Sequence, residues 1–390
     1  MRAHADRKHA LLSASGASRW LNCTPSARLE EANGKRESSV YAQEGTLAHE
    51  LSELYIRRDA LDNITSKAFD NELEKIMSNE LFSEEMLDMV PRYVDYCIDT
   101  YNEAKANGDA ILEIEQKLDL TEWVPESFGT ADCVILADNI MEVIDLKYGK
   151  GVPVYAEWNS QLMLYALGAL RKYDTIYDIS LVRITVVQPR LDNINSFDIS
   201  VEELLKWAEE ELKVKAKMAY AGEGELNCGD WCKFCAVKNR CRALYDEQLK
   251  IAKYEFSGPD LLTDDEIADV VKRLPKLVDW ANSIHEYAQT LALNGKAWPG
   301  MKLVEGVARR KWIEDERAIE KALKDACLGD DEIYDVKLKS ITQIEKLVGK
   351  KNFEASFSNL VIKPQGKPTL VPESDKRPEI GLQQAINDFK

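Results

Sequence analysis

The apolar positions of this chain change period twice. Leu47, Leu51, Leu54 and Tyr55 recur at helical spacing through residues 44–58, and 81–106 reads as a second, long helix with Pro91 as a candidate bend. Ahead of them, 12–32 is a turn-rich stretch running into a short helical pattern. From residue 111 the period shortens to two. ILEIEQKLDL (111–120) places Ile111, Glu113, Glu115 and Lys117 on one face of a strand. GTADCVILAD (129–138) and IMEVIDLKYG (140–149) follow as further strands, and Asp138-Asn139 between them suits a hairpin turn. A helix over 157–171, a β-rich run over 179–189 and a helix over about 200–219 complete the series. Helix, three strands, helix, strand is the order of a mixed α/β core.

The period returns to helical from Thr263 to Leu293 and from Glu314 to Cys327. The last stretch, 359–378, holds four prolines and reads as an extended arm. YEFSGPD breaks the helical run near residue 255. Two regions are therefore expected: an α/β unit over 1–250 and a mainly α-helical region over 251–390.

Composition narrows the classes. With 390 residues and 45% hydrophobic content the chain can bury a real core. No apolar run approaches the roughly 20 residues that cross a bilayer. The N-terminus lacks the apolar core of a signal peptide, so a cytoplasmic protein with no membrane partner is expected. Net charge is −17, from 51 basic and 68 acidic residues. Such a surface repels nucleic acid, which would have to be met on a local basic strip or through a metal ion. Arg309, Arg310, Lys311 and Trp312, with Lys363 and Lys367, offer local positive charge and an indole. A backbone track and a solvated face with a packed Trp suit them equally. No Gly-x4-Gly-Lys-[Ser/Thr] phosphate loop occurs, so no motor is expected.

Candidate chemistry concentrates in GTADCVILADNIMEVIDLKYGKG. Asp145 and Lys147 stand two apart on one strand, so both leave the same face, and a hairpin brings Asp132 near Asp145. Paired carboxylates bind hard divalent cations such as Mg²⁺ or Mn²⁺, and an adjacent lysine stabilises charge on a phosphate. An isolated Asp-x-Lys is usually a solvated ion pair. This one is embedded among Val143, Ile144 and Leu146, with Gly149 and Gly151 just beyond.

Cysteines supply the second cluster. Four of the eight stand as Cys228-x3-Cys232-x2-Cys235-x5-Cys241, a density that selects zinc or iron–sulfur. A four-cysteine zinc site confined to this segment is one solution. Cys97, Cys133 and Cys327 read as buried thiols.

Across about residues 12–245 these motifs resemble the RecB-type branch of the PD-(D/E)XK nucleases. Gly129-Thr130-Ala131-Asp132, then Asp145-Leu146-Lys147, then Gln161 and Tyr165 on the next helix match that branch, as does Gly45-Thr46-Leu47-Ala48-His49-Glu50 on an earlier one. The resemblance implies a restriction-endonuclease-like mixed sheet. It also implies metal held by His49, Asp132, Asp145 and the Leu146 carbonyl, catalysis by Lys147, and support from Gln161 and Tyr165. Here the central acid is Asp145 rather than Glu. Glu53 and Glu113 are weaker candidates for a second ion, and as surface carboxylates they have an ordinary explanation.

Branch members with a cluster take one thiolate from near the N-terminus and three from a Cys-x2-Cys-x5-Cys segment, enclosing a [4Fe–4S] centre. By resemblance these are Cys23 with Cys232, Cys235 and Cys241, with Cys228 as the alternative fourth ligand. The C-terminal third resembles regions of bacteriophage and prophage proteins that share this core. The implied activity is Mg²⁺- or Mn²⁺-dependent hydrolysis of DNA, as an exonuclease in phage recombination or replication, alongside a single-strand annealing or replication protein. The competing reading is a non-catalytic DNA-binding or scaffold protein with a zinc or iron–sulfur module.

Overall fold

A computed structural model describes residues 10–34, 39–173, 176–250, 263–303, 316–325 and 341–349, with single positions 353, 356, 357, 360 and 361. The prolines of the expected C-terminal arm, the basic groups at 309–311, Trp312, Lys363, Lys367 and Cys327 lie outside the described residues.

Five strands form one mixed sheet in chain order: β1 (Ala110–Asp119), β2 (Phe128–Ala137), β3 (Asn139–Leu146), β4 (Ile179–Gln188) and β5 (Asn193–Ser200). β3 and β4 are parallel and the other neighbours antiparallel. The parallel pair follows from its connection: α6 (Ser160–Tyr173) crosses one sheet face to return the chain in the same direction. Asp138 and Asn139 close the β2–β3 hairpin, with Ala137 paired to Ile140 and Asn139 in the left-handed region at φ +67°.

Each face of the sheet carries its own core. On one side α6 packs with α1 (Ala17–Asn22), α2 (Ser26–Asn33), α7 (Val201–Trp207) and α8 (Lys213–Ala221) around Leu118, Val134, Leu136, Met141 and Val143. One wider π turn, Ala208–Leu212, joins α7 to α8. On the other side lie α3 (Val40–Asp59), α4 (Ser66–Met77) and α5 (Glu84–Asn107), which cover Leu112, Cys133, Ile135, Ile144 and Leu146. Burial on both faces explains the near-continuous apolar run of β3.

Two elements depart from expectation. α4 fills 66–77, and β5 adds a fifth, antiparallel strand after the Pro189–Leu191 turn. β5 is an edge strand with only Ile199 fully buried, so its sequence NINSFDIS carries little apolar signal.

The chain divides into two compact units, 1–262 with 276–283, and 263–275 with 284–390. The first holds the sheet, its flanking helices and the cysteine segment. A capping box between Thr263 and Glu266 opens the long helix Asp264–Leu293, of which 264–275 and 284–293 belong to the second unit, as do the helices at Glu316–Asp325 and Ile341–Val348. No described helix is long and apolar enough to cross a membrane.

Candidate metal centre and cysteine site

The face alternation of β1 and β2 breaks at one cross-strand position. Leu112 and Ile114 face α3 and α5, but further along β1 it is Leu118, again an even-numbered residue, that faces α6. In β2, Val134 and Leu136 face α6 and so does Ala131, whereas Cys133 and Ile135 face the other way. The switch falls at Glu115, whose φ is +48°, opposite Asp132. Both carboxylates thereby turn toward α3. Glu113, expected to share a face with Glu115, instead interacts with Tyr173 on the α6 side.

His49, Glu115 and Asp132 each offer a ligand atom within 4.8 Å of the others. His49 is presented by α3, whose Leu47, Ala48 and Leu51 are buried against the sheet, and its Nδ1 lies 3.4 Å from Asp132 Oδ2. The Leu146 N–H donates to that same oxygen at 2.8 Å, fixing the Asp132 carboxylate from β3. Leu146 thus touches the centre through its amide, aiming Asp132. Glu53 lies nearby, 3.8 Å from Arg57.

Asp145 is buried at 2% side-chain exposure. Lys147 Nζ lies 2.9 Å from Asp145 Oδ2 and donates to Asp145 Oδ1 at 3.2 Å. The same ammonium donates to Gln161 Oε1 at 3.1 Å. Gln161 Nε2 donates to Tyr165 OH at 3.1 Å, as expected for residues four apart on one helix face. Asn159 secures the start of α6 by accepting from the Gln161 and Leu162 N–H groups. Four side chains that were expected together therefore form one bonded chain from β3 to α6.

Electrostatics mark this as a strained concentration of charge. Burial pushes Asp132 up to about 6, with the Asp145 charge adding to it and His49 opposing. Burial and the Asp132 charge push Glu115 up to about 7. Burial pulls Lys147 down, but Asp145 and Asp132 outweigh it and hold the ammonium above its ordinary value. Lys147 is therefore a fixed cation rather than a base. Burial, then the Asp145 charge, keep Tyr165 protonated well above its ordinary range.

A cation fits this site on the chain's own chemistry. Two carboxylates whose protonation is favoured by burial, Glu115 and Asp132, stand beside an imidazole, while Asp145 is ion-paired to Lys147 and lies outside that three-residue group. Oxygen-rich ligation suits Mg²⁺ or Mn²⁺, and one imidazole nitrogen tilts the preference toward Mn²⁺.

The second site joins the ends of the α/β unit. Cys23, Cys232, Cys235 and Cys241 line one cavity with Leu29, Leu226, Val237 and Leu244, and Cys228 is absent from that lining. The N-terminal helices are tied to the cysteine segment: Thr24 Oγ1 donates to Glu223 O at 2.6 Å, Asn227 Nδ2 to Asn22 O at 3.1 Å, and the Ala236 N–H to Glu30 Oε1 at 2.6 Å. Arg19 in turn pairs with Glu30 at 2.8 Å. Burial pushes Cys235 up to about 11 and raises Cys23, whose neighbours include Cys232 and Cys241. Burial, with Cys232 and Cys241 close by, takes Cys228 up to about 12. Among the described residues no three cysteine sulfurs lie within 4.8 Å of one another. Tetrahedral zinc with bonds of about 2.3 Å would hold them roughly 3.8 Å apart.

The family described as "Protein of unknown function (DUF2800)" matches residues 9–378. The chain belongs to the DUF2800 family. Among solved structures, SSO0001 is similar to this DUF2800 chain at 14% identity, over 56% of this chain and 95% of that one, with a TM-score of 0.24.

Glu115 is the centre's residue that sequence reasoning did not single out as a ligand. The signal was Gln116, a polar residue where the alternation of Leu112 and Ile114 calls for an apolar one.

Proposed function

We propose that this protein is a metal-dependent nuclease that hydrolyses DNA phosphodiester bonds on a PD-(D/E)XK-type core. The observation that carries this reading is the His49–Glu115–Asp132 cluster beside the bonded series Asp145, Lys147, Gln161 and Tyr165. His49, Glu115 and Asp132 would hold Mn²⁺ or Mg²⁺, while Asp145 holds the Lys147 ammonium beside them. When bound, that ion supplies an activated water and screens phosphate charge.

The remaining chemistry belongs to the chain. Lys147 sets a permanent positive charge where the pentacoordinate phosphate accumulates negative charge. Asp145 and Gln161 hold that ammonium in place, so little reorganisation is needed as charge develops. Tyr165 stays protonated and orients Gln161. The Leu146 N–H keeps Asp132 Oδ2 aimed at the cluster.

An exonuclease serving phage recombination or replication in a bacterial cytoplasm, beside a single-strand annealing protein, is the role most consistent with the sequence resemblance. We assign Cys23, Cys232, Cys235 and Cys241 to a [4Fe–4S] centre that staples the N-terminal helices to the end of the core. The support is their common cavity and the hydrogen bonds that tie the N-terminal helices to the cysteine segment.

The deciding experiment is cleavage of linear duplex, circular duplex and single-stranded DNA with Mn²⁺, Mg²⁺ or EDTA. Products that form with Mn²⁺ and vanish in EDTA support the reading; a preference for ends identifies an exonuclease. No cleavage of any DNA, together with unchanged melting on adding Mn²⁺, would leave the cysteine module and a scaffold role as the better account.

A further inference from the structure

The carboxylate pair at Glu115 and Asp132 does not end the functional face of the β1–β2 ribbon. Beyond the switch in alternation, Leu118 and Ala131 face α6, so Lys117 and Thr130, which pair across the ribbon, face the same side as the metal cluster. Both are exposed. Phe128, diagonal to Lys117, completes the strip, and the Lys117 ammonium lies 4.9 Å from its ring centroid.

The pairing of Lys117 sets it apart from its neighbours. Lys147 is tied to Asp145, and Lys150 stands 4.0 Å from Glu85. Lys172 donates to Gln116. Among the described residues no carboxylate lies in ion-pair range of Lys117; its contact is an aromatic face. A cation held over a ring gives up less on meeting a phosphate than one held by a carboxylate. Lys117 stands two residues, roughly 7 Å, along the strand from Glu115. That is about one phosphate-to-phosphate step along a nucleic-acid strand.

Resting on the nuclease reading, we propose that the β1–β2 ribbon is the substrate track, with Lys117 binding a backbone phosphate one or two nucleotides from the scissile bond. In a chain of net charge −17, one such cation on the same face as the metal cluster gives the approaching strand a direction. The substrate this implies is a polynucleotide with phosphate on that side of the cleaved bond, rather than an isolated phosphodiester.

The test uses the full-length protein and a labelled oligonucleotide of about 20 nucleotides, with Ca²⁺ in place of Mn²⁺ to observe binding without cleavage. Affinity is measured between roughly 50 and 200 mM salt. Lys117→Gln should lower the slope of log K against log[salt] by about 0.7–0.9 and weaken binding three- to tenfold. Lys117→Arg should keep the wild-type slope, and so should Lys172→Gln. With Mn²⁺, Lys117→Gln should lose about tenfold in kcat/KM on the oligonucleotide and almost nothing on a dinucleotide carrying a single phosphodiester. A wild-type slope in Lys117→Gln, from a protein that does bind and cleave DNA, overturns the track and leaves the nuclease reading standing. Failure of the wild type to bind or cleave any DNA overturns both.

Discussion

Lys147 and Gln161 meet through a 3.1 Å hydrogen bond that joins the end of β3 to the first turn of α6. The two side chains lie at either end of the connection 147–159 between β3 and α6, yet they settle one charge. The amide oxygen accepts from the ammonium while the amide nitrogen donates to Tyr165, so the orientation of Gln161 is determined at both ends. Asp145, buried below, completes the cradle.

Removing the ammonium should therefore abolish chemistry without disturbing the fold. Lys147→Ala should cost at least about a hundredfold in turnover on linear DNA, with an unchanged far-ultraviolet spectrum. Gln161→Ala should cost less, about tenfold, because Asp145 still holds Lys147. Near-wild-type turnover by Lys147→Ala would remove the catalytic role from this constellation.

The raised carboxylates make the metal-free protein sensitive to pH. Between about pH 4 and 7 the folded chain keeps protons on Asp132 and Glu115 that the unfolded chain has released. Since the native state then binds more protons, stability falls as pH rises through that window. In EDTA the wild type should lose more Tm between pH 5 and 8 than Asp132→Asn/Glu115→Gln does, by on the order of 5 °C. Adding Mn²⁺ should raise the wild-type Tm more at pH 8 than at pH 5, because protons compete with the ion for the same oxygens. A Tm difference between the two proteins that does not vary with pH would contradict this account of the charge cluster.

Much of this site was legible because its spacing is local. Asp145 and Lys147 must share a strand face, and Gln161 and Tyr165 a helix face, whatever the tertiary structure does. The hairpin at Asp138-Asn139 was readable for the same reason. Glu115 was not, since strict alternation assigns it to the side of Glu113, and only its left-handed backbone sends it to the other. β5 escaped because an edge strand needs few buried side chains. The placement of Cys23 beside a segment some two hundred residues later came from resemblance alone, since no local period carries such a contact.

That distant contact has a direct chemical consequence. Cys23→Ala, like Cys232→Ala, Cys235→Ala and Cys241→Ala, should lose iron and visible absorbance after anaerobic purification, and melt at lower temperature. Cys228→Ala should keep both, because the cavity is lined by the other four thiols and Cys228 is hydrogen-bonded to it only through Cys232. Iron retained in Cys23→Ala but lost from Cys228→Ala would confine the ligands to the C-terminal segment. Equimolar zinc without iron in the wild type would overturn the cluster assignment altogether.

The glycine three residues before Asp132 also shapes the contact between Gln161 and Tyr165. A Cβ on Gly129 would lie 2.7 Å from Tyr165 Cε1 and 3.2 Å from its Cδ1, with Ala14 Cβ closing the remaining side at 3.6 Å. Tyr165 is itself buried in the α6-side core, so its ring has little room to yield. Gly129→Ala should therefore push the ring away from Gln161 and break the 3.1 Å hydrogen bond that orients it. The expected stability cost is about 1–3 kcal/mol, the usual range for overpacking. Activity should fall by about tenfold at a temperature where the variant is still folded, since Lys147 then loses one of its two supports. Tyr165→Phe, which deletes the hydroxyl but keeps the ring, separates the two effects. It should reproduce the activity loss of Gly129→Ala with a smaller stability cost. If Tyr165→Phe retains full turnover while Gly129→Ala does not, the glycine acts through packing alone, and the Gln161–Tyr165 bond has no part in positioning Lys147.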